Sequence, residues 1–425
     1  MTSTAAATTG RLPSLDGLRG VAAFTVLLHH CLLVASPYLS GDDAASQWWH
    51  TMITTPLALP TLLLTSGTEA VFVFFVLSGF VLTLPAARRP GFDWLAYWPR
   101  RLIRLYLPVW GGLLLGTALI YALPRTNPDV AQDGWLVSSN ATSAPLGEVL
   151  HQATLAPHRF PIDNPLWSLH WELLFSLLLP LYILIVRRIP LTAGLTLSAA
   201  LAMAGSLSGQ GWLLYLPVFM AGASLAAHFE RLQRLAAAIS ARRGGVLIWW
   251  GVLGLAVFGM LISRVASALL PHDTALYPLI EALCYGVLII GSASLLFLCF
   301  GWARAASIFA RNPVHWLGKI SFSLYLVHVP ILATAAFAFG SDWPLAVMVA
   351  IPVSLLVAWL FYLAVEAPTI ALSRATGRAI HARRQTRRAE RMPEPGTSGA
   401  RSSAARRPES RRPEAHTGEI PALHR

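Results

Sequence analysis

Ten runs of mostly apolar residues recur along this 425-residue chain, near 18–36, 68–87, 102–123, 167–186, 191–208, 212–228, 246–263, 277–300, 322–339 and 345–366. Each approaches the roughly 20 residues that an α-helix needs to cross the hydrocarbon layer of a bilayer. Hydrocarbon offers the backbone no hydrogen-bond partner, so a crossing segment must satisfy its own amides. The expected fold is therefore all-α: a polytopic membrane bundle of about ten transmembrane helices. Only 12% of residues are charged and 55% are hydrophobic. Soluble chains carry roughly twice that share of charge. One membrane bundle is thus a better reading of the length than two or three soluble domains. The least certain limits are those of the second span, where 57–66 is a further apolar stretch, and of the closely spaced fifth and sixth.

Arginine placement gives the bundle a direction. Basic residues gather at Arg11 and Arg19, from Arg88 to Arg104, at Arg187 and Arg188, from Arg231 to Arg243, from Arg304 to Lys319, and from Arg374 onward. With ten spans, all of these fall on one side. The opposite connections, 37–67, 124–166, 209–211, 264–276 and 340–344, contain few arginines (Arg125, Arg159, Arg264). The positive-inside rule then puts both termini in the cytoplasm. A bundle domain is expected over 1–372. Residues 373–425, rich in Arg, Pro and Ser, are expected to form a disordered cytoplasmic tail that buries too little apolar surface to fold. The first apolar run is as long as a span and lacks a small-residue cleavage site, so no removable leader is expected. Cys31, Cys284 and Cys299 all lie in apolar runs with no ligand spacing, so neither disulfides nor a metal site is expected. The lipid bilayer is the evident partner; no nucleic-acid partner is expected.

Ionisable residues inside a bilayer are costly and call for a partner or a task. Four places stand out. In LDGLRGVAAFTVLLHH (15–30), His30 follows Arg19 by eleven residues, which is about 16 Å along a helix and nearly the same face. A lone intramembrane histidine is as often a packing residue as a functional one. In NPLWSLHWELLFSLLLP (164–180), Glu172 is expected one to two turns below the outer surface, level with His30. At one depth the two would form a carboxylate–imidazole pair, either a general base with its orienting group or a structural lock. In YWPRRLIRLYLP (97–108), Arg100, Arg101 and Arg104 share a helix face. That cluster suits phosphate, although ordinary membrane anchoring explains two of the three. In GKISFSLYLVHVP (318–330), Ser321, Ser323, Tyr325 and His328 fall in one span, where hydroxyls commonly hold helices together.

Taken in order, LDGLRGVAA with His30, FFVLSGF (74–80), RRLIR (100–104), LWSLHWELLF (166–175), GKISFSLYLVHVPIL (318–332) and VEAP (365–368) resemble acyltransferase family 3. These membrane-bound O-acyltransferases modify surface polysaccharides, peptidoglycan or antibiotic sugars. The resemblance covers about 12–370. It implies that Arg19 and His30 are essential, with His30 the catalytic residue. It implies that Arg101 and Arg104 contact an acyl-CoA donor, acetyl-CoA by default. It also aligns Trp167, Ser168 and Glu172 with the family's WSLSxE pattern. Trp167, Ser168, His170 and His328 become candidates for contact with the acceptor. The chain departs from the family at Leu173, where a second acid is frequent, at His170 in place of a small residue, and at Val327 in place of Trp.

The function implied is transfer of an acyl group to a hydroxyl of a carbohydrate or glycosylated acceptor, in a bacterial plasma membrane. His30, oriented by Glu172 or His170, would act either as general base or as an acyl carrier across the membrane. A transporter or flippase is the rival, but the chain shows neither an internal repeat nor paired Gly/Pro-broken spans. An HxxxxD motif at His158 and Asp163 lies in a loop expected outside, away from CoA, and is read as chance. Asn140-Ala-Thr142 spells a glycosylation sequon that carries little weight in a bacterial host.

Overall fold

The computed structural model describes residues 12–39, 58–88, 91–156, 159–270 and 273–391, and among them there are helices and no strands. Ten helices correspond to the ten apolar runs: α1 (Pro13–Ala35), α2 (Gly67–Arg88), α3 (Trp94–Ala122), α4 (Leu166–Val186), α5 (Leu191–Ser208), α6 (Gly211–Ala227), α7 (Gly245–Leu269), α8 (Tyr277–Gly301), α9 (Asn312–Phe339) and α10 (Trp343–Phe361). Among the described residues, nine helices are long and apolar enough to cross a membrane, or ten when α6 is joined to the helix that follows it. That helix, Phe229–Ala241, turns 70° away from α6. It buries Phe229, Leu232, Ala236 and Ile239 at helical spacing and leaves Arg231 and Arg234 exposed, the pattern of a helix lying in a membrane interface. The stretch near 57–66 does not extend the second span. It forms a separate short helix, Ala58–Leu64, before α2 begins at Gly67.

The core is built on α1, which packs against α9 and α2; α2 in turn packs against α6. Small residues allow these approaches, as is usual between membrane helices. A Cβ on Gly20 would stand 2.3 Å from the backbone nitrogen of Gly318, and one on Gly318 would stand 2.1 Å from the Asp16 carbonyl. This backbone contact fixes the register of α1 against α9. Ten residues further along both parallel helices, the same register brings His30 to His328. Gly20→Val is therefore expected to separate the two helices. The check is loss of a monodisperse, folded species after detergent extraction, with a far smaller effect from Gly251→Ala, whose Cβ meets nothing within 4 Å.

The chain ends of the bundle meet at its arginine-rich end. Glu366, in a π-turn just past α10, is held there by Ser323 of α9 at 2.6 Å. The opposite end is covered by the loop 123–165. It contains the helices Trp135–Ser139 and Leu146–Ala153 and does not stay on the surface. Tyr106 and Trp110, in the middle of α3, donate to the carbonyls of Thr154 (3.0 Å) and Ala153 (3.1 Å). Ile162 and Asp163 are fully buried beside Gly116 and Gly112 of the same helix. The loop thus descends into the bundle, and α4 starts well below the surface.

The structure differs from expectation at the end of the bundle. The helix Ala367–Arg391 carries ordered backbone past 372, where a disordered tail was expected. Its alanines, arginines and glutamine are good helix formers, and composition alone underrated them. Residues 392–425 lie outside the described ones. The asparagine of the sequon is not open to solvent. Asn140 is buried, and its Nδ2 donates to the Leu136 carbonyl at 3.0 Å.

Candidate functional site

Two histidines meet in the interior, and their hydrogen bonds settle which nitrogens carry protons. His30 Nδ1 lies 2.8 Å from the Val26 carbonyl, and His328 Nδ1 lies 2.9 Å from the Leu324 carbonyl. A carbonyl oxygen only accepts, so both Nδ1 atoms are donors. His328 Nε2 is then a lone pair, placed 3.2 Å from His30 Nδ1, where it takes a share of that proton. The consequence is that His30 Nε2 is unprotonated in the neutral ring, as a general base requires. Trp135, from the re-entrant loop, covers the His30 ring with centroids 5.0 Å apart. Water access from the loop end is thereby narrowed. Both rings are buried.

A cavity of about 110 Å³ opens below this pair, toward the arginine-rich end. Arg19, Arg104 and Glu366 line it at one end, Arg101, Ser78 and Glu172 along its length, and Ser168 and Tyr325 at its inner end. Tyr325 hydrogen-bonds Ser168 at 2.6 Å, and its ring centroid is 5.9 Å from that of His328. The cavity therefore stops one helical turn of α9 short of the histidine pair. Arg19 and Arg104 make no hydrogen bond or ion pair among the described residues, so their donors are available to an anion in the cavity.

Arg101 behaves differently from Arg104. Its guanidinium donates to Glu172 Oε1, and its Nε donates to Ser176 Oγ at 3.0 Å. Glu172 also accepts from Ser78 at 2.9 Å. Arg101 and Glu172 thus form a largely buried ion pair in the cavity wall. The sequence-based pairing of Glu172 or His170 with His30 is not what the structure has. The re-entrant loop lowers the whole start of α4, so Glu172 lies at the depth of Arg101, near the beginning of α3, and the partner of His30 is His328. His170 Nδ1 donates to the Leu155 carbonyl at 2.6 Å and braces the loop, where Leu155 adopts a left-handed backbone (φ 56). Trp167 packs edge-to-face on Phe75 and at a tilt against Tyr215, and it is absent from the cavity lining.

Sequence reasoning missed several members of the site. Trp135 had no signal, because nothing local says that a polar loop folds inward. Ser78 and Glu366 lay inside the quoted motifs FFVLSGF and VEAP, but no role was drawn for either. For the HxxxxD motif, Asp163 is buried beside Gly112 and Leu326, and His158 lies outside the described residues. Among the described residues, no group of three or more His, Cys, Asp or Glu is placed to share a metal ion.

Comparison with known proteins agrees with this architecture. The family model described as "Acyltransferase domain" (acyltransferase family 3) matches residues 12–363. The chain is similar to O-acetyltransferase PaAT-1 of Phomopsis amygdali, at 25% identity over 406 residues, covering 81% of this chain and 79% of that protein. It is also similar to Acyltransferase MdmB of Streptomyces mycarofaciens, at 31% identity over 182 residues, covering 42% of this chain and 41% of that one. No solved structure matches. With a match running from the first turn of α1 to the turn after α10, the chain belongs to acyltransferase family 3 and is a multi-pass membrane acyltransferase.

Proposed function

We propose that this acyltransferase takes its acyl group, acetyl in the first instance, from acyl-CoA at the arginine-rich end of the bundle and passes it to a hydroxyl of a carbohydrate-type acceptor. We place that end in the cytoplasm of a bacterial cell, with the bundle in the plasma membrane. The observation that supports this most is the cavity itself. It has two cations without partners among the described residues at its mouth, Arg19 and Arg104, and it ends one turn below a histidine whose Nε2 is left free to accept a proton. Phosphates of the donor would engage Arg19 and Arg104, while the pantetheine arm would run past Ser78 and Ser321 toward Tyr325. His30 Nε2 takes the proton from the acceptor hydroxyl as its oxygen attacks the thioester carbonyl. The carbon–sulfur bond then breaks, and the departing thiolate takes that proton back from the imidazolium. His328 Nε2, facing His30 Nδ1–H, steadies the transient positive charge, in the position a carboxylate holds in hydrolase triads. Arg101 and Glu172 shape the wall, and Glu172 is a positioning residue rather than the base. Ser168 and His328 stand where the acceptor and the thioester would meet. Trp167 and His170 act through packing.

Transfer of radiolabelled acetyl from acetyl-CoA in membranes expressing the chain is the direct test. Arg104→Ala removes charge-assisted contacts worth roughly 1.5–3 kcal/mol. It is therefore expected to raise the KM for acetyl-CoA about 10- to 100-fold while changing kcat far less. An unchanged KM in a folded variant excludes Arg104 from the donor site. No label in any fraction, with several donors and acceptors tried, would favour transport of a polar lipid or glycan instead.

A further inference from the structure

A second polar cavity lies at the loop end of the bundle, away from the donor cavity. It has a volume of about 330 Å³ and is lined by Thr68 and Glu69 of α2, Ser263, Arg264 and Ser267 of α7, and Tyr277, Glu281 and Tyr285 of α8. These residues come from the first turns of α2, the last turns of α7 and the first turns of α8. Glu69 is 5% exposed. Its Oε1 accepts from Ser263 at 2.7 Å and lies 3.7 Å from Arg264 Nε. Its Oε2 is buried and has no hydrogen-bond partner among the described residues. Buried carboxylate oxygens are normally satisfied, and within a membrane span the cost of leaving one unmet is higher still. A hydrogen-bond donor bound in the cavity would meet it.

The inner wall of this cavity reaches the catalytic pair. Arg264 Nη2 donates to the Thr65 carbonyl, and His29 Nδ1 donates to the same oxygen at 2.9 Å. Gly67 lets α2 pass that close to α1, since a Cβ there would stand 2.4 Å from the His29 side chain. The His29 ring then meets His30 edge-on, with centroids 5.6 Å apart. A group seated in the cavity is separated from His30 by one layer of side chains.

We propose that this cavity is the binding site of the acceptor, and that it takes an uncharged, hydroxyl-rich group, a glycosyl unit, from the face opposite the donor. The proposal rests on the transfer reaction given above and adds the place and chemical class of the second substrate. Glu69 Oε2, Glu281 and Ser267 Oγ, whose own proton goes to the Arg264 carbonyl at 3.0 Å, accept hydroxyl protons, Arg264 donates to hydroxyl oxygens, and Tyr277 and Tyr285 supply ring surface for the apolar side of a sugar. With Arg264 already turned to Glu69, Glu281 and the second oxygen of Glu69 disfavour an anionic acceptor.

Ser267→Cys, on an exposed rim position, gives a readout of occupancy that does not depend on catalysis. Membranes carrying this variant are treated with a membrane-impermeant maleimide, with and without a panel of methyl hexosides at millimolar concentration. Labelling is expected to slow at least threefold in the presence of at least one hexoside. The same protection is expected with His30→Ala added, and its loss is expected with Glu69→Gln added. Should Glu69→Gln fail to fold, Glu281→Gln at its more exposed position carries the same expectation. If the wild type acetylates a hexoside that gives no protection, the cavity is not the acceptor site and the transfer reaction stands. Protection without any transfer by the wild type keeps the site and sinks the reaction. A labelling rate indifferent to every hexoside, together with no transfer, overturns both.

Discussion

His30→Ala is expected to lower kcat by about 10²- to 10⁴-fold, the usual contribution of a positioned general base, while leaving the KM for acetyl-CoA near its wild-type value. The cavity proposed for the donor ends at Ser168 and Tyr325 and is not lined by His30, so loss of the imidazole would remove proton transfer without opening that cavity. His328→Ala should lose less. The Val26 carbonyl still holds the His30 Nδ1 proton, so the tautomer survives and only the lone pair facing the imidazolium is removed. A base role predicts that the His328→Ala rate profile shifts along the pH axis relative to wild type, which a packing role would not produce. Rates of labelled acetyl transfer across a pH series, with gel filtration of the extracted protein to confirm folding, decide the point. Full activity in a folded His30→Ala variant would end the assignment.

The second large effect concerns stability. Among the described residues, Glu172→Ala leaves the Arg101 guanidinium in a largely buried wall with only Ser176 as partner, and Arg101→Ala leaves Glu172 with only Ser78. Removing one partner of such a pair costs about 3–5 kcal/mol, so either variant is expected to melt well below wild type in detergent. Replacing both at once, Arg101→Met with Glu172→Leu, removes both desolvated charges and is expected to recover most of the lost stability. Transfer should stay impaired in the double variant, because the wall between Arg104 and Ser168 would have lost its shape and its field. Recovery of full activity by the double variant would make the pair a structural lock with no part in the reaction. Loss of stability in neither single variant would contradict the pairing itself.

The way Arg101 and Glu172 find each other marks the boundary between what could be read from the chain and what could not. The ten spans follow from local composition, because a hydrocarbon environment imposes a length and an apolar content on each crossing independently of its neighbours. Their limits moved by only a few residues at most ends. Arg19, Arg104 and His30 were likewise visible, since a charged or titratable residue in an apolar run is conspicuous wherever it falls. The family match gives a membrane acyltransferase, and the described residues hold nine, or with the bent pair ten, helices long and apolar enough to cross.

Depth was not visible. Counting inward from span ends assumes that a polar loop stays at the surface, and here Tyr106 and Trp110 pull the loop before α4 to mid-bundle depth. That one departure moves Glu172 from His30 to Arg101 and sets Trp135 over the His30 ring. Partners in space were not visible either. His328 is 298 residues from His30, and the close packing of α1 on α9, with Gly20 against the Gly318 backbone, aligns the two helices so that their rings meet. The cavity around Glu69 and Arg264 joins the start of α2 to the end of α7 and the start of α8, with Glu69 and Ser263 194 residues apart in sequence. The chain by itself determined which segments enter the membrane and which residues are costly there, because those are properties of each residue against its solvent. The tertiary structure decided which of the costly residues satisfy one another, because that depends on helix register and on a loop folding inward.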